Sequence, residues 1–215
     1  MKKYLILLPF MLFSMSLSAQ TSMREVWLSM PDSMIPYMNK SQRLEHVELL
    51  EMQVDSKVKN LLSGEGQMDT ISDRFLQIRL NASADLQLLL LPKPDSSQVV
   101  CMVKTVRAQH AESEIRFYTT SWERIDDMFG LPSPADGESI IGSFFTENDT
   151  LPAARMHELQ RGIDPVMMSA MLFPDSPELI LELSSSLKTA KEASEVKAYL
   201  RQRKFKWDGL SFKEC

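Results

Sequence analysis

The sequence predicts an α+β protein built as two tandem antiparallel-sheet units with packed helices. Three observations carry that prediction. Four segments between Leu76 and Thr120 alternate or run apolar at strand length and are joined by short polar turns. A stretch after Asn39 places apolar residues at three- and four-residue steps. A breaker-rich stretch from Asp126 to Asp149 is followed by further strand and helix signals. The 215 residues are 44% hydrophobic and 25% charged, a globular composition that excludes a disordered, collagen-like or multi-span membrane chain. The formal charge of −5 offers no basic block to displace phosphate counterions, so no nucleic-acid partner is expected.

Residues 1–19 read as a secretory signal. Lys2 and Lys3 precede an apolar run from Tyr4 to Phe13, and small residues lead to Ala19, the expected cleavage point. The run is shorter than the roughly 20 residues a membrane span needs. The expected location is therefore periplasmic or secreted, with no membrane-spanning segment after cleavage. Removing 19 of the 215 residues leaves 196, and losing Lys2 and Lys3 moves the formal charge from −5 to −7.

The first unit, residues 20–127, opens with Arg24 to Leu28 and a segment interrupted by Pro31 and Pro36, which excludes a long helix there. Asn39 and Gln42 form a reciprocal cap for a helix whose apolar face runs through Leu44, Val47, Leu50, Val54, Val58 and Leu61, ending at Gly64 and Gly66. Strands follow at Leu76 to Leu80, Asp85 to Leu91, Val99 to Val106 and Glu114 to Thr120, and the helix covers their apolar face. The second unit, residues 128–215, offers strands at Val166 to Phe173 and Glu178 to Leu183 and a helix from Ala190 to Arg201. A terminal hairpin turns at Asp208-Gly209, pairing Trp207 with Leu210 and Phe205 with Phe212, its aromatics closing the core. Leu90 to Ser96 echoes Leu172 to Ser176, a weak internal repeat that favours two related units.

No catalytic, cofactor-binding or metal-ligating set emerges, and neither a cofactor nor an enzymatic activity is expected. His46, His110 and His157 are dozens of residues apart, and His46, flanked by Glu45 and Glu48, fits a solvated helix face. Asp126-Asp127 and Asn148-Asp149 lack the further oxygen ligands of a calcium loop. There is no Gly-x-Ser-x-Gly elbow and no glycine-rich phosphate loop. A distributed carboxylate pair, for example Asp73 with Glu112, is one hydrolase arrangement the sequence allows. Cys101 lies in an apolar strand and Cys215 is terminal; a bridge between them is allowed in an oxidising compartment, and a buried free thiol at Cys101 is the alternative. Twelve methionines follow the signal, and Met167, Met168 and Met171 fit a strand facing the core.

Met30 to Tyr37 with the Arg43-Leu44 helix, the run Glu114 to Trp122 and the Trp207-containing tail together resemble a secreted domain-of-unknown-function family found in Bacteroidales. The resemblance implies export and brings no catalytic residues. It also implies O-glycosylation at Asp-Ser/Thr-apolar triplets, of which Asp32-Ser33-Met34, Asp69-Thr70-Ile71 and Asp149-Thr150-Leu151 are the instances, placing sugars on Ser33, Thr70 or Thr150. The expected function is a non-catalytic binding or interaction module of the cell envelope, with an envelope protein or glycan as partner. The alternative is a periplasmic hydrolase with a distributed carboxylate or histidine site.

Overall fold

A computed structural model describes residues 20–62, 64–132, 138–146, 152–184 and 190–215. The signal region and the triplet at Thr150 lie outside them. Seven antiparallel strands form one sheet in chain order: β1 (Lys57–Lys59), β2 (Glu65–Ile71), β3 (Phe75–Asn81), β4 (Ala84–Pro92), β5 (Gln98–Arg107), β6 (Ala111–Thr119) and β7 (Arg124–Ile125). Four more form a second sheet: β8 (Met168–Leu172), β9 (Glu178–Leu183), β10 (Arg203–Trp207) and β11 (Phe212–Glu214). The helices are α1 (Met23–Ser29), α2 (Lys40–Glu51), α3 (Glu138–Ser143), α4 (Ala153–Arg161) and α5 (Ala190–Lys197). The α+β class and the two antiparallel sheets are as the sequence predicts.

Two cores lie on opposite faces of the large sheet. On one face, α1 and α2 cover Leu76, Ile78, Leu86, Leu88, Val100 and Met102. Both helices start with the capping box their sequences encode: Ser22 with Glu25, and Asn39 with Gln42 at 3.0 and 2.9 Å. On the other face, Phe75, Leu89, Leu91, Cys101, Val103 and Phe117 share a core with Leu172, Leu179, Leu181, Phe205, Trp207 and Phe212 of the small sheet, and with Ile140, Phe144, Leu159 and Val196 of the later helices. The three tryptophans tie elements together through their indole N–H groups. Trp27 donates to Arg43 O at 3.2 Å, Trp122 to Val26 O at 3.0 Å and Trp207 to Pro92 O at 2.7 Å.

Several expectations are corrected. The apolar spacing after Asn39 does not continue as helix to Leu61: α2 ends at Glu51, Gln53 takes a φ of 58°, and Val58 is buried as a strand residue while Val54 and Leu61 are exposed. His46 is not solvated but 1% exposed, its Nδ1 2.7 Å from Ser56 O. Burial lowers its pKa below the ordinary histidine value, and the Ser56 carbonyl opposes that shift. Its ring fits because Gly66 lies opposite, where a Cβ would stand 3.3 Å from His46 Nε2. The terminal hairpin turns over four residues, not two: Trp207 pairs with Phe212 and Phe205 with Glu214. Asp208 organises that turn, its Oδ1 accepting from Leu210 N and Ser211 N, which leaves Leu210 exposed. Its aromatics do close the core. Met168 is buried, but Met171 points to the other face and is 44% exposed. The last helix stops at Lys197, and α3 and α4 occupy sequence that carries no helix prediction.

Candidate functional site

The site begins with how strand alternation and register divide one face of the large sheet. Odd-numbered residues of β3, β4 and β5 share that face: Phe75 lies opposite Leu89 and Leu89 opposite Cys101, then Gln77 opposite Gln87 and Gln87 opposite Val103, then Arg79 opposite Asp85 and Asp85 opposite Thr105. The rows change from apolar to polar along the strands. The apolar end is covered by the small sheet, and the polar end stays open.

The small sheet meets this face through the free edge of β8. Gln87 Oε1 accepts from Leu172 N at 2.9 Å, and its Nε2 donates to Leu172 O at 3.4 Å. Ser113 Oγ accepts from Ala170 N at 2.9 Å. These side chains supply what a neighbouring strand would supply, so the edge is closed without one. The exposed face of the small sheet then stands as a wall beside the polar floor. Gln77, Asp85, Gln87, Thr105 and Arg107 meet Ser169, Met171, Ile180 and Glu182 across a cavity of about 240 Å³. A cavity of about 390 Å³, lined by Lys57, Gln67, Arg79, Asn81, Asp85 and Arg107, extends from it. Asp85 and Arg107 line both, so the two cavities adjoin at that ion pair.

A polar network holds the floor. Gln87 Nε2 donates to Gln77 Oε1 at 2.9 Å, and Gln77 Nε2 donates to Asp69 Oδ2 at 3.3 Å. Arg79 Nη2 donates to Gln67 and lies 3.4 Å from Asp69 Oδ1. Strand alternation puts Asp69 on the face of Gln67, and a register shift between Met68 and Thr70 leaves Thr70 rather than Asp69 as the partner of Gln77. Asp85 is 8% exposed and pairs with Arg107 Nη2 at 2.6 Å. Its pKa is raised above the ordinary aspartate value, first by burial and also by Asp69, while Arg107 and Arg79 oppose the rise. Thr105 and Ser113 hydroxyls bond each other at 2.7 Å.

Among the described residues, none of the titratable or glycosylation candidates named from sequence lies in this cleft, and Asn148-Asp149 lies outside the described set. Asp73 sits in the exposed β2–β3 turn, next to Phe75, whose row runs through Leu89 and Cys101 to Phe117; Glu112 lies five residues along β6 from that row, near the opposite end. They do not converge. His110 lies in the β5–β6 turn and His157 on the exposed side of α4. Among the described residues no three His, Cys, Asp or Glu side chains group as metal ligands. Asp126 pairs with Arg124 at 2.7 Å, and Asp127 accepts from Phe129 N at 2.7 Å. Cys101 and Cys215 are free thiols, and burial pushes the Cys101 thiol far up. Ser33 is exposed in a 3₁₀ turn and Thr70 is half-buried near the end of β2. Another cavity, of about 400 Å³, opens beside β6; it mixes apolar residues (Val106, Ile115, Met128, Met168, Leu181) with Lys104, Glu112, Ser113 and Glu114, and it borders Pro132, after which residues 133–137 lie outside the described set.

No helix among the described residues is long and apolar enough to cross a membrane. A comparison with curated proteins gives no match. The fold is shared with a domain of an uncharacterized protein from Porphyromonas gingivalis W83, with a TM-score of 0.69 over 89% of this chain and 96% of that one, at 21% identity. That likeness shows the architecture alone. The model of a family described as a protein of unknown function, DUF3256, matches residues 14–212. With nearly the whole sequence matched, the chain belongs to the DUF3256 family.

Proposed function

We propose that this protein is a non-catalytic binding module of the cell envelope, and that its ligand lies in the cleft between the two sheets. The observation that carries the reading is the preformed polar floor, in which side chains from four strands are already oriented by one another on a rigid sheet. Thr105, a hydroxyl of the cleft, bonds the Ser113 hydroxyl instead of an activating base, which favours binding over nucleophilic chemistry at that position. The leader pattern of residues 1–19 supports an envelope location. Partners fitting the floor are polar chains, an envelope protein segment or a glycan.

The test is a capture experiment with a blocked cleft. Ala111 lines the cleft, and Ala111→Trp fills it without removing any polar group. Envelope extract from the native host is passed over immobilised wild-type and variant protein. A species retained by the wild type and lost from the variant supports the reading; identical retention refutes it.

One observation favours a hydrolase as the second reading. Asp85 lines the cleft with its carboxyl shifted upward as a general acid requires, and a second carboxylate, Asp69, bonds Gln77 of the same floor. That reading requires turnover of a captured ligand that disappears in Asp85→Asn, and a captured ligand recovered unaltered refutes it.

A further inference from the structure

We infer that Gln20 is a modification site: once the leader is cut after Ala19, this residue closes on itself to a pyroglutamyl ring. The inference rests on the leader reading of residues 1–19 and is independent of the cleft. A cut after Ala19 makes Gln20 the bearer of the chain's α-amine. Its own side-chain amide is then within reach of that amine through a five-membered ring, an intramolecular attack that needs no co-reactant. The amine nitrogen forms a bond to Cδ, the bond from Cδ to Nε2 breaks, and the proton given up by the amine leaves with Nε2 as ammonia. Nothing is oxidised or reduced. An ordinary α-amine titrates near about 8, so roughly one in ten is the neutral nucleophile at pH 7.

The fold leaves that reaction open. Gln20 is exposed, and it forms no hydrogen bond with a described residue. The chain becomes fixed only at Ser22, whose N–H donates to Glu25 Oε2 at 2.9 Å, and at Met23, whose N–H donates to Asp73 O at 2.8 Å. Gln20 therefore stands ahead of the Ser22 cap, where amine and amide can meet without disturbing the buried Met23, Val26 and Trp27. Charge favours the product. Gln20 and Thr21 line a cavity of about 310 Å³ together with Lys93, Gln98 and Thr119, and no carboxylate lies among its described lining residues. Asp95, close to Lys93 in sequence, is engaged by Ser97, whose hydroxyl donates to its Oδ1 at 2.6 Å. An open Gln20 would bring a second cation to that cavity with no acid there to balance it. The closed ring is uncharged, and its N–H and C=O suit the hydroxyls and amide already present.

The test is mass spectrometry of the N-terminal peptide, on protein purified from the native host. Free amines of the intact protein are first dimethylated, and trypsin then releases the peptide Gln20–Arg24. A dimethylated amine cannot close, so an unlabelled ring was formed before digestion. The expected peptide carries no label and is lighter than open Gln-Thr-Ser-Met-Arg by one ammonia. Pyroglutamyl aminopeptidase should remove the ring and open Thr21 to labelling. Gln20→Asn, one carbon too short for a five-membered ring, should be labelled at residue 20. A labelled Gln20 in the wild type overturns the inference while leaving the cut after Ala19 standing. A first residue other than Gln20, or a chain that keeps residues 1–19, overturns the inference together with that cut. A Gln20→Asn terminus that also resists labelling overturns it too, since the block would then not be the side-chain amide's. Ligand capture by the cleft is read separately and is moved by none of these results.

Discussion

Replacing Gln87 by leucine tests how the two sheets are joined. Leucine is close in size and fits a half-buried strand position, so the change removes polar atoms and leaves volume nearly constant. It removes the acceptor of the 2.9 Å bond from Leu172 N and the donor of the 2.9 Å bond to Gln77. Leu172 is 2% exposed, so its amide has no ready access to water as a substitute. An orphaned buried donor costs about 1–3 kcal/mol and a lost neutral hydrogen bond about 1 kcal/mol. The added apolar contact offsets part of this, for a net loss of about 2 kcal/mol. For a chain of this size that lowers Tm by roughly 4–8 °C. Urea unfolding gives the stability, and amide exchange at Leu172 gives the local effect: its protection should fall toward that of surface amides. A change below about 0.5 kcal/mol with Leu172 protection intact would refute the reasoning, since the clasp would then carry no load.

Three further outcomes follow from buried polar groups. Arg43 is 1% exposed and donates to Asp32 at 2.7 Å and to Met30 O at 2.5 Å, so Arg43→Ala should cost about 3–5 kcal/mol in chemical denaturation and loosen residues 30–38 in hydrogen exchange. His46 has a folded pKa held below 6.5 by burial, so the unfolded chain binds the extra proton; stability should fall as pH drops below about 6.5, and His46→Gln should flatten that slope in pH-dependent melts. Asp85 has the opposite sign: its folded pKa is raised above 3.8, so the folded state holds the proton longer and stability should decline as pH rises from 3.8 through the folded value. Asp85→Asn should remove that decline in the same melts.

Much of the fold is legible where a signal is local. The Asn39–Gln42 cap and the alternation of β3 to β6 concern residues within a few positions of one another, and both appear as expected. Strand β2 escapes because Gly66 weakens its propensity and the bulge at Asp69 breaks its period. The hairpin register departs from the two-residue expectation because Asp-Gly also suits a longer turn, once the Asp208 carboxylate caps it. His46 carried glutamates beside it, and only the facing Gly66, twenty residues on, explains its burial. The cleft depends on register: Arg79, Asp85 and Thr105 are scattered in sequence and become one row only when three strands pair. A trace of it was present, since Phe75-x-Gln77-x-Arg79 and Val103-x-Thr105-x-Arg107 both turn polar midway along a strand.

The cleft's floor comes from residues 57–107 and its wall from residues 169–182. Sequence-adjacent strands close the floor, so its contacts are local and quick to form, whereas the wall must dock across a long chain separation. During synthesis the floor therefore emerges and pairs first, and the site exists only after the later segment arrives. Ligand binding then reports that the later segment has docked on the floor. A molecule truncated before β8 would keep its meander and its cations yet present an open sheet face to solvent, unable to tell its ligand from any other polar chain.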